Sequence, residues 1–168
     1  MDLASSIGMI DTHTPQHIIL LRVAIAAVLG GMIGWEREVH TAEAGLRTHI
    51  LVAVAATLFT TLAFEIFHIS DVFGQGQSDP IRAVEAVTAG IAFLGAGAIF
   101  HGRNDIRGLT TGAGMWLAGA VGVSVAIGFY FIALAVSILA VLVLAALRLI
   151  KQRNPNKPVL GDDAASQR

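Results

Sequence analysis

The stretch IRAVEAVTAGIAFLGAGAIF, residues Ile81–Phe100, decides the fold. About 20 predominantly apolar residues cross a bilayer as a helix, and this stretch is apolar and small apart from Arg82, Glu85 and Thr88. A carboxylate inside the hydrocarbon layer is costly and marks a functional site whose partner should be sought. Arg22 offers the opposite charge and also lies inside an apolar stretch.

Four further stretches of this kind flank it: His17–Trp35, Thr48–His68, Leu109–Ile127 and Gly128–Ile150, the last two joined by a tight turn at Gly128. The 168 residues are 55% hydrophobic and only 14% charged, where soluble domains average about 25% charged; mean hydropathy is +0.71. These features predict an all-α membrane protein, a five-span transmembrane helical bundle with the lipid bilayer as its first partner. Residues 1–16 form a short extracytoplasmic segment, 17–150 the transmembrane domain and 151–168 a disordered, Pro-containing cytoplasmic tail. The segment before the first span has no Lys or Arg and so lacks the basic region of a cleaved signal; the first span is expected to remain as an anchor. A net charge of −1 gives no sign of a nucleic-acid partner, and without cysteine there is neither disulfide nor thiol chemistry.

Lys and Arg near span ends mark the cytoplasmic side. Arg37 and Arg47 follow span one, Arg103 and Arg107 follow span three, and Arg148 at the end of span five is followed by Lys151, Arg153, Lys157 and Arg168. The loop between spans two and three carries Asp71 and Asp79 instead. This alternation places the N-terminus outside and the C-terminus in the cytoplasm.

The orientation sorts the polar residues into two layers. At 1.5 Å per residue, Arg22, Glu65 and Glu85 lie roughly 5–8 Å below the outer boundary, with Arg82 one turn above Glu85. The expected outer layer is therefore Arg22, Glu65, Arg82 and Glu85, acting either as an ion-pair lock or as a site. The inner layer comprises Glu36, Arg37, Arg47, Thr48, Arg107, Thr110 and Thr111 at loops and span ends. Free N–H groups at helix starts suit an anion, although topology-holding arginines explain the same residues.

Small residues allow close helix approach in lipid. Gly30 and Gly34 supply this in span one, Gly90, Gly95 and Gly97 in span three, and Gly114 and Gly122 in span four. Span two carries Ala53, Thr57, Thr61 and Glu65 at four-residue spacing, with His49 at the inner start. This is either a polar lane or a row of hydroxyls bonded to their own helix. The glycines of Gly90–Phe100 are compatible with a discontinuous helix at a binding site. No metal-ligand spacing and no nucleophile–base pair is evident, so no catalytic residues, no enzyme and no cofactor are expected, Mg²⁺ held by Glu85 and Glu65 excepted.

In order, GGMIGWERE (Gly30–Glu38), AGLRTHILVAV (Ala44–Val54), DPIRAVEAVTAGIAFLGAGAI (Asp79–Ile99) and RGLTTGAGMW (Arg107–Trp116) resemble the MgtC/SapB family of bacterial inner-membrane proteins. The resemblance implies a five-span domain in the cytoplasmic membrane. It also implies links to growth in low magnesium, acid tolerance and survival inside host phagocytes, with binding to other membrane proteins such as the ATP synthase. Thr110 stands where virulence-associated members have Asn, and the chain stops soon after span five where those members continue into a cytoplasmic domain. The broader SapB-like membrane core is therefore the label the resemblance supports.

Three functions follow as expectations. The first is modulation of magnesium or proton homeostasis, or of stress adaptation, by binding other membrane proteins. The second is a small Mg²⁺ or proton transporter using Glu85 and Glu65, for which five spans are few, so a homodimer is expected. The third is anion or lipid-headgroup binding at the inner arginines.

Overall fold

The computed structural model describes residues 12–39, 44–72, 79–101 and 106–153. The apolar stretches appear as helices in chain order: α1 (Gln16–Glu38), α2 (Leu46–Val72), α3 (Pro80–Gly97), α4 (Leu109–Ala126) and α5 (Tyr130–Arg153). Between α3 and α4 lies an antiparallel hairpin of β1 (Phe100–His101) and β2 (Ile106–Arg107), with Phe100 opposite Arg107.

The local sequence explains the boundaries. α3 opens on Asp79, whose Oδ1 accepts the Ile81 N–H at 2.9 Å, with Pro80 in the first helical position; both residues favour helix starts. The two tightest connections use glycine at positive φ, Gly108 (+86°) entering α4 and Gly128 (+90°) between α4 and α5. A Cβ on Gly108 would also strike the Ala98 carbonyl. Glycine alone occupies that region without steric cost.

Span three was expected to reach Phe100, but α3 stops at Gly97. The Ala98 and Ile99 N–H groups bond back to Gly95 and Ala96, which tightens the last turn, and Phe100 then enters the hairpin. Nor is the helix broken at its glycines: α3 runs continuously through Gly90 and Gly95. The glycines therefore do not create an unwound site there. α5 continues through Arg153, and the segments 1–11 and 154–168 lie outside the described residues.

α2 and α4 form the middle of the bundle. α1 packs on both and on α5, while α3 packs on α4 and α2. Backbone proximity sets the contacts. A Cβ on Gly30 would lie 2.7 Å from the His49 carbonyl oxygen, and one on Gly34 2.8 Å from Leu46 Cα, so α1 and α2 run antiparallel. Gly112 lies against Gly95, and Gly119 against Ile91, so α3 and α4 are also antiparallel. One apolar core joins Ala26, Leu29 and Ile33 of α1 to Ala53, Val121, Val125 and Ala133; a second joins Val52, Ala56, Ile91 and Ala118.

Large apolar side chains cover the outside, including Phe93 and Phe131, which are 80% and 82% exposed. By length and composition, Gln16–Glu38, Leu46–Ser70 and Leu109–Ala126 are long and apolar enough to cross a membrane. The apolar part of α5, Tyr130–Ala146, is shorter, and α3 carries Arg82 and Glu85 in its first two turns. The chain reads as a helical membrane protein.

Candidate functional site

α2 turns a polar row into the bundle. His49, Thr57 and Thr60 are fully buried, and Thr61 and Glu65 are nearly so, at 2% and 5% exposed. From His49 to Glu65 the row spans about 24 Å along the helix axis. Some of its groups are satisfied within the protein. The Thr57 hydroxyl lies 2.9 Å from both the Ala53 and Gly122 carbonyls, bridging α2 to α4. His49 Nδ1 lies 2.8 Å from the Gly45 carbonyl. Other groups are not: His49 Nε2 and the hydroxyls of Thr60 and Thr61 are buried without a hydrogen-bond partner. Buried polar atoms are paired in the great majority of cases, so unpaired ones within a single lane call for a functional account. The alternative, hydroxyls bonded to their own helix, describes Thr57 in part and does not describe Thr60 or Thr61.

At the outer end, both Glu65 carboxylate oxygens accept backbone N–H groups, His13 at 2.8 Å and Thr14 at 2.9 Å. The rings of His13 and His68 stack above, with centroids 3.7 Å apart and planes within 11°. A cavity of about 290 Å³ opens beside them, lined by His13, Thr14, Arg22, Thr61, Phe64 and His68 among others. It brings Arg22 to the outer end of the lane.

The expected outer layer does not assemble as one cluster. Arg22 donates from Nη1 to the Ala126 carbonyl at 2.7 Å and from Nε to the Tyr130 hydroxyl at 3.1 Å. It thereby caps the C-terminal end of α4, where backbone carbonyls lack helical partners and the helix dipole is negative. Glu65 is engaged by the residues preceding α1. Arg82 and Glu85 are exposed on α3, which packs on the side of the bundle away from α1. The separation has a simple cause: a similar expected depth does not fix direction, and their helices present these residues in different directions. Glu65 is buried and held by backbone N–H groups whereas Glu85 is exposed, and among the described residues no group of three or more His, Cys, Asp or Glu could hold a metal ion.

The inner residues are only partly gathered. Arg37 Nη2 reaches the Thr111 hydroxyl at 3.4 Å, linking the end of α1 to the first turn of α4. Thr111 is buried, Glu36 and Thr48 are half-buried, and Arg47, Arg107 and Thr110 are exposed. Glu38 Oε2 accepts the Leu46 N–H at 2.9 Å and so caps the start of α2. A Cβ on Gly45 would collide with that carboxylate.

Among the packing glycines, Gly30, Gly34, Gly95, Gly114 and Gly122 stand at close approaches between helices, whereas Gly90 and Gly97 have nothing within 4 Å of a Cβ position. Gly90 lines an apolar groove of about 480 Å³ between α2 and α3, together with Val52, Phe59, Val87, Ile91 and Leu94 among others. The sequence reading missed Thr60, Tyr130, Gly112 and Gly119. The Thr60–Thr61 pair inside an apolar helix was an available signal. So was Tyr130, the lone tyrosine, one helix turn past the end of α4.

Residues 23–153 match the sequence model of the MgtC family. The chain is 34% identical over 140 residues to the “Putative magnesium transporter YhiD” of Escherichia coli K12, covering 82% of this chain and 64% of that one. It is 38% identical over 130 residues to “Protein MgtC” of Brucella abortus, covering 77% and 51%. It is 36% identical over 113 residues to “Protein SapB” of Bacillus subtilis, covering 67% and 49%. The chain thus spans between about half and two thirds of the length of these relatives. No solved structure matches it.

Proposed function

The chain belongs to the MgtC family, and from that premise we propose that it modulates magnesium or proton homeostasis in the bacterial inner membrane. The observation that carries this reading is the buried polar lane of α2. A titratable group stands at each end, His49 and Glu65, with the Thr57, Thr60 and Thr61 hydroxyls between them. Chains of Asp, Glu and His inside membrane domains mark proton relays. In the five-span topology expected from the sequence, Glu65 lies towards the outside and His49 towards the cytoplasm.

The species that moves is the proton. Mg²⁺ keeps several waters and is bound through carboxylates in near-octahedral geometry. Glu65 has both oxygens engaged by backbone N–H groups, and Glu85 faces the other way. The magnesium in the YhiD name supports magnesium homeostasis as the process served, with proton movement as this chain's own contribution.

The test is proton entry into proteoliposomes holding an internal pH dye, with Mg²⁺ entry measured alongside. Wild-type chain should admit protons, and Glu65→Gln or Thr61→Val should slow entry by about tenfold, equivalent to about 1.4 kcal/mol in the barrier. Mg²⁺ should not enter. Folded protein that admits no protons beyond empty vesicles overturns the reading.

A second reading, modulation through contact with other membrane proteins, is favoured by the outward Arg82 and Glu85 of α3. Charged side chains on a membrane helix are costly where they face lipid, and a polar protein neighbour would offset that cost. Crosslinking from α3 in native membranes that recovers a different membrane protein supports it.

A further inference from the structure

The cavity beside the His13–His68 stack has the make-up of a ligand site. Its volume is about 290 Å³, at the lower end of the range for small-molecule pockets. Arg22 lines it, and the two hydrogen bonds that Arg22 makes go to neutral acceptors, the Ala126 carbonyl and the Tyr130 hydroxyl. Among the described residues, no carboxylate pairs with its charge and Nη2 makes no hydrogen bond. The nearby carboxylate, Glu65, is not part of the lining; both its oxygens are held by the His13 and Thr14 N–H groups. The His13 and His68 rings add N–H donors, which imidazole offers whether neutral or protonated. Thr61 also lines the cavity, is 2% exposed, and has a buried hydroxyl without a hydrogen-bond partner. The remaining lining includes Phe64 and Ile127, which are apolar. We propose that this cavity binds a short-chain monocarboxylate, with its carboxylate on Arg22 and Thr61 and its alkyl group against Phe64 and Ile127.

Each part of the ligand answers a feature of the lining. A cation inside a membrane helix is costly without a partner, and an anion offsets that cost. The planar guanidinium matches a carboxylate in shape as well as charge. Buried hydroxyls are paired in the great majority of cases. Threonine on a helix divides between two rotamers, so the Thr61 hydroxyl can turn to meet a ligand oxygen. Phosphate and chloride bring no apolar part to Phe64 and Ile127, and a long acyl chain outgrows the volume. The site is independent of whether the α2 lane moves protons.

The test uses the full chain in detergent with isotope-labelled histidine, titrated with sodium propionate. His13→Gln and His68→Gln assign the two ring signals. Both signals should shift and saturate with propionate. Propanamide, which lacks the charge, should leave them in place, and so should chloride or phosphate at matched ionic strength. Thr61→Val and Arg22→Lys should each weaken propionate binding by about tenfold, equivalent to about 1.4 kcal/mol. Thr61→Val leaves the Arg22 hydrogen bonds intact, so it reports even where Arg22→Lys fails to fold. Folded wild-type chain whose ring signals do not move with propionate overturns the proposal. So does an equal response to propanamide, chloride or phosphate, or unchanged affinity in Thr61→Val. No proton gradient enters the measurement, so failure of the proton reading leaves its result standing.

Discussion

His49 Nε2 lies 2.9 Å from the point that a Cβ on Gly114 would occupy. The ring is wedged between the start of α2 and the backbone of α4, with Nδ1 held 2.8 Å from the Gly45 carbonyl. Gly114→Ala therefore forces the ring or the helix to move. Overpacking of this kind costs about 1–3 kcal/mol, so the thermal midpoint in detergent should fall. His49→Ala in the same chain removes the obstacle, and the double variant should be more stable than the two single effects predict by about 1 kcal/mol, the scale of coupling between contacting residues. Simple additivity would show that the two positions do not touch.

Arg22 gives a prediction that separates the structure from the ion pair expected between Arg22 and Glu85. Its hydrogen bonds go to the Ala126 carbonyl and the Tyr130 hydroxyl. Hydrogen bonds to charged groups contribute about 1.5–3 kcal/mol and neutral ones about 1 kcal/mol. Arg22→Ala should destabilise the detergent-solubilised chain within that larger range, Tyr130→Phe should do so less, and Glu85→Gln should stay within about 0.5 kcal/mol of wild type, as surface changes do. A loss with Glu85→Gln as large as with Arg22→Ala would restore the ion pair.

That contrast shows what the residues disclose. Distance along a helix follows from residue count, because each helical residue advances the chain by about 1.5 Å; on that count Arg22, Glu65 and Glu85 fall at one expected level with Arg82 a turn above. Azimuth is not legible. Which way Glu85 points depends on which helices flank α3, a tertiary fact that periodicity does not contain. The same limit explains the glycines. Those of Gly90–Phe100 stood out by density, yet only Gly95 meets a neighbour, the backbone of Gly112. The helix positions themselves were readable because apolar length and Gly or Pro punctuation set them. The hairpin at Phe100–His101 and Ile106–Arg107 was not, since two-residue strands leave no periodic signal.

The threonines of α2 should divide by partner. Thr57 bridges to the Gly122 carbonyl, and interhelical hydrogen bonds in membranes average about 0.6 kcal/mol with a maximum near 1.7. Thr57→Val should cost an amount in that range. Thr60→Val and Thr61→Val remove hydroxyls that are buried without partners, and replacing an unsatisfied polar group by an isosteric apolar one is neutral or stabilising. Thermal unfolding of the three variants checks the order. A Thr61→Val chain that is more stable but slower in proton entry would tie the unsatisfied hydroxyl to function rather than to packing.

Glu65 ties the residues before α1 to the second helix through two hydrogen bonds, from the His13 and Thr14 N–H groups. Glu65→Gln keeps the shape but leaves one carbonyl oxygen as acceptor and turns an amide donor towards the other N–H. Losing one charge-assisted bond at about 1.5–3 kcal/mol releases that segment while α2 stays folded through its packing. Hydrogen exchange at His13 and Thr14 should then accelerate by about tenfold or more, each 1.4 kcal/mol being a factor of ten, with the amides of Ala53–Thr57 unchanged. Acceleration spread along α2 would instead mean that Glu65 holds the helix itself. Unchanged exchange at His13 and Thr14 would mean that the carboxylate is not what fixes the segment.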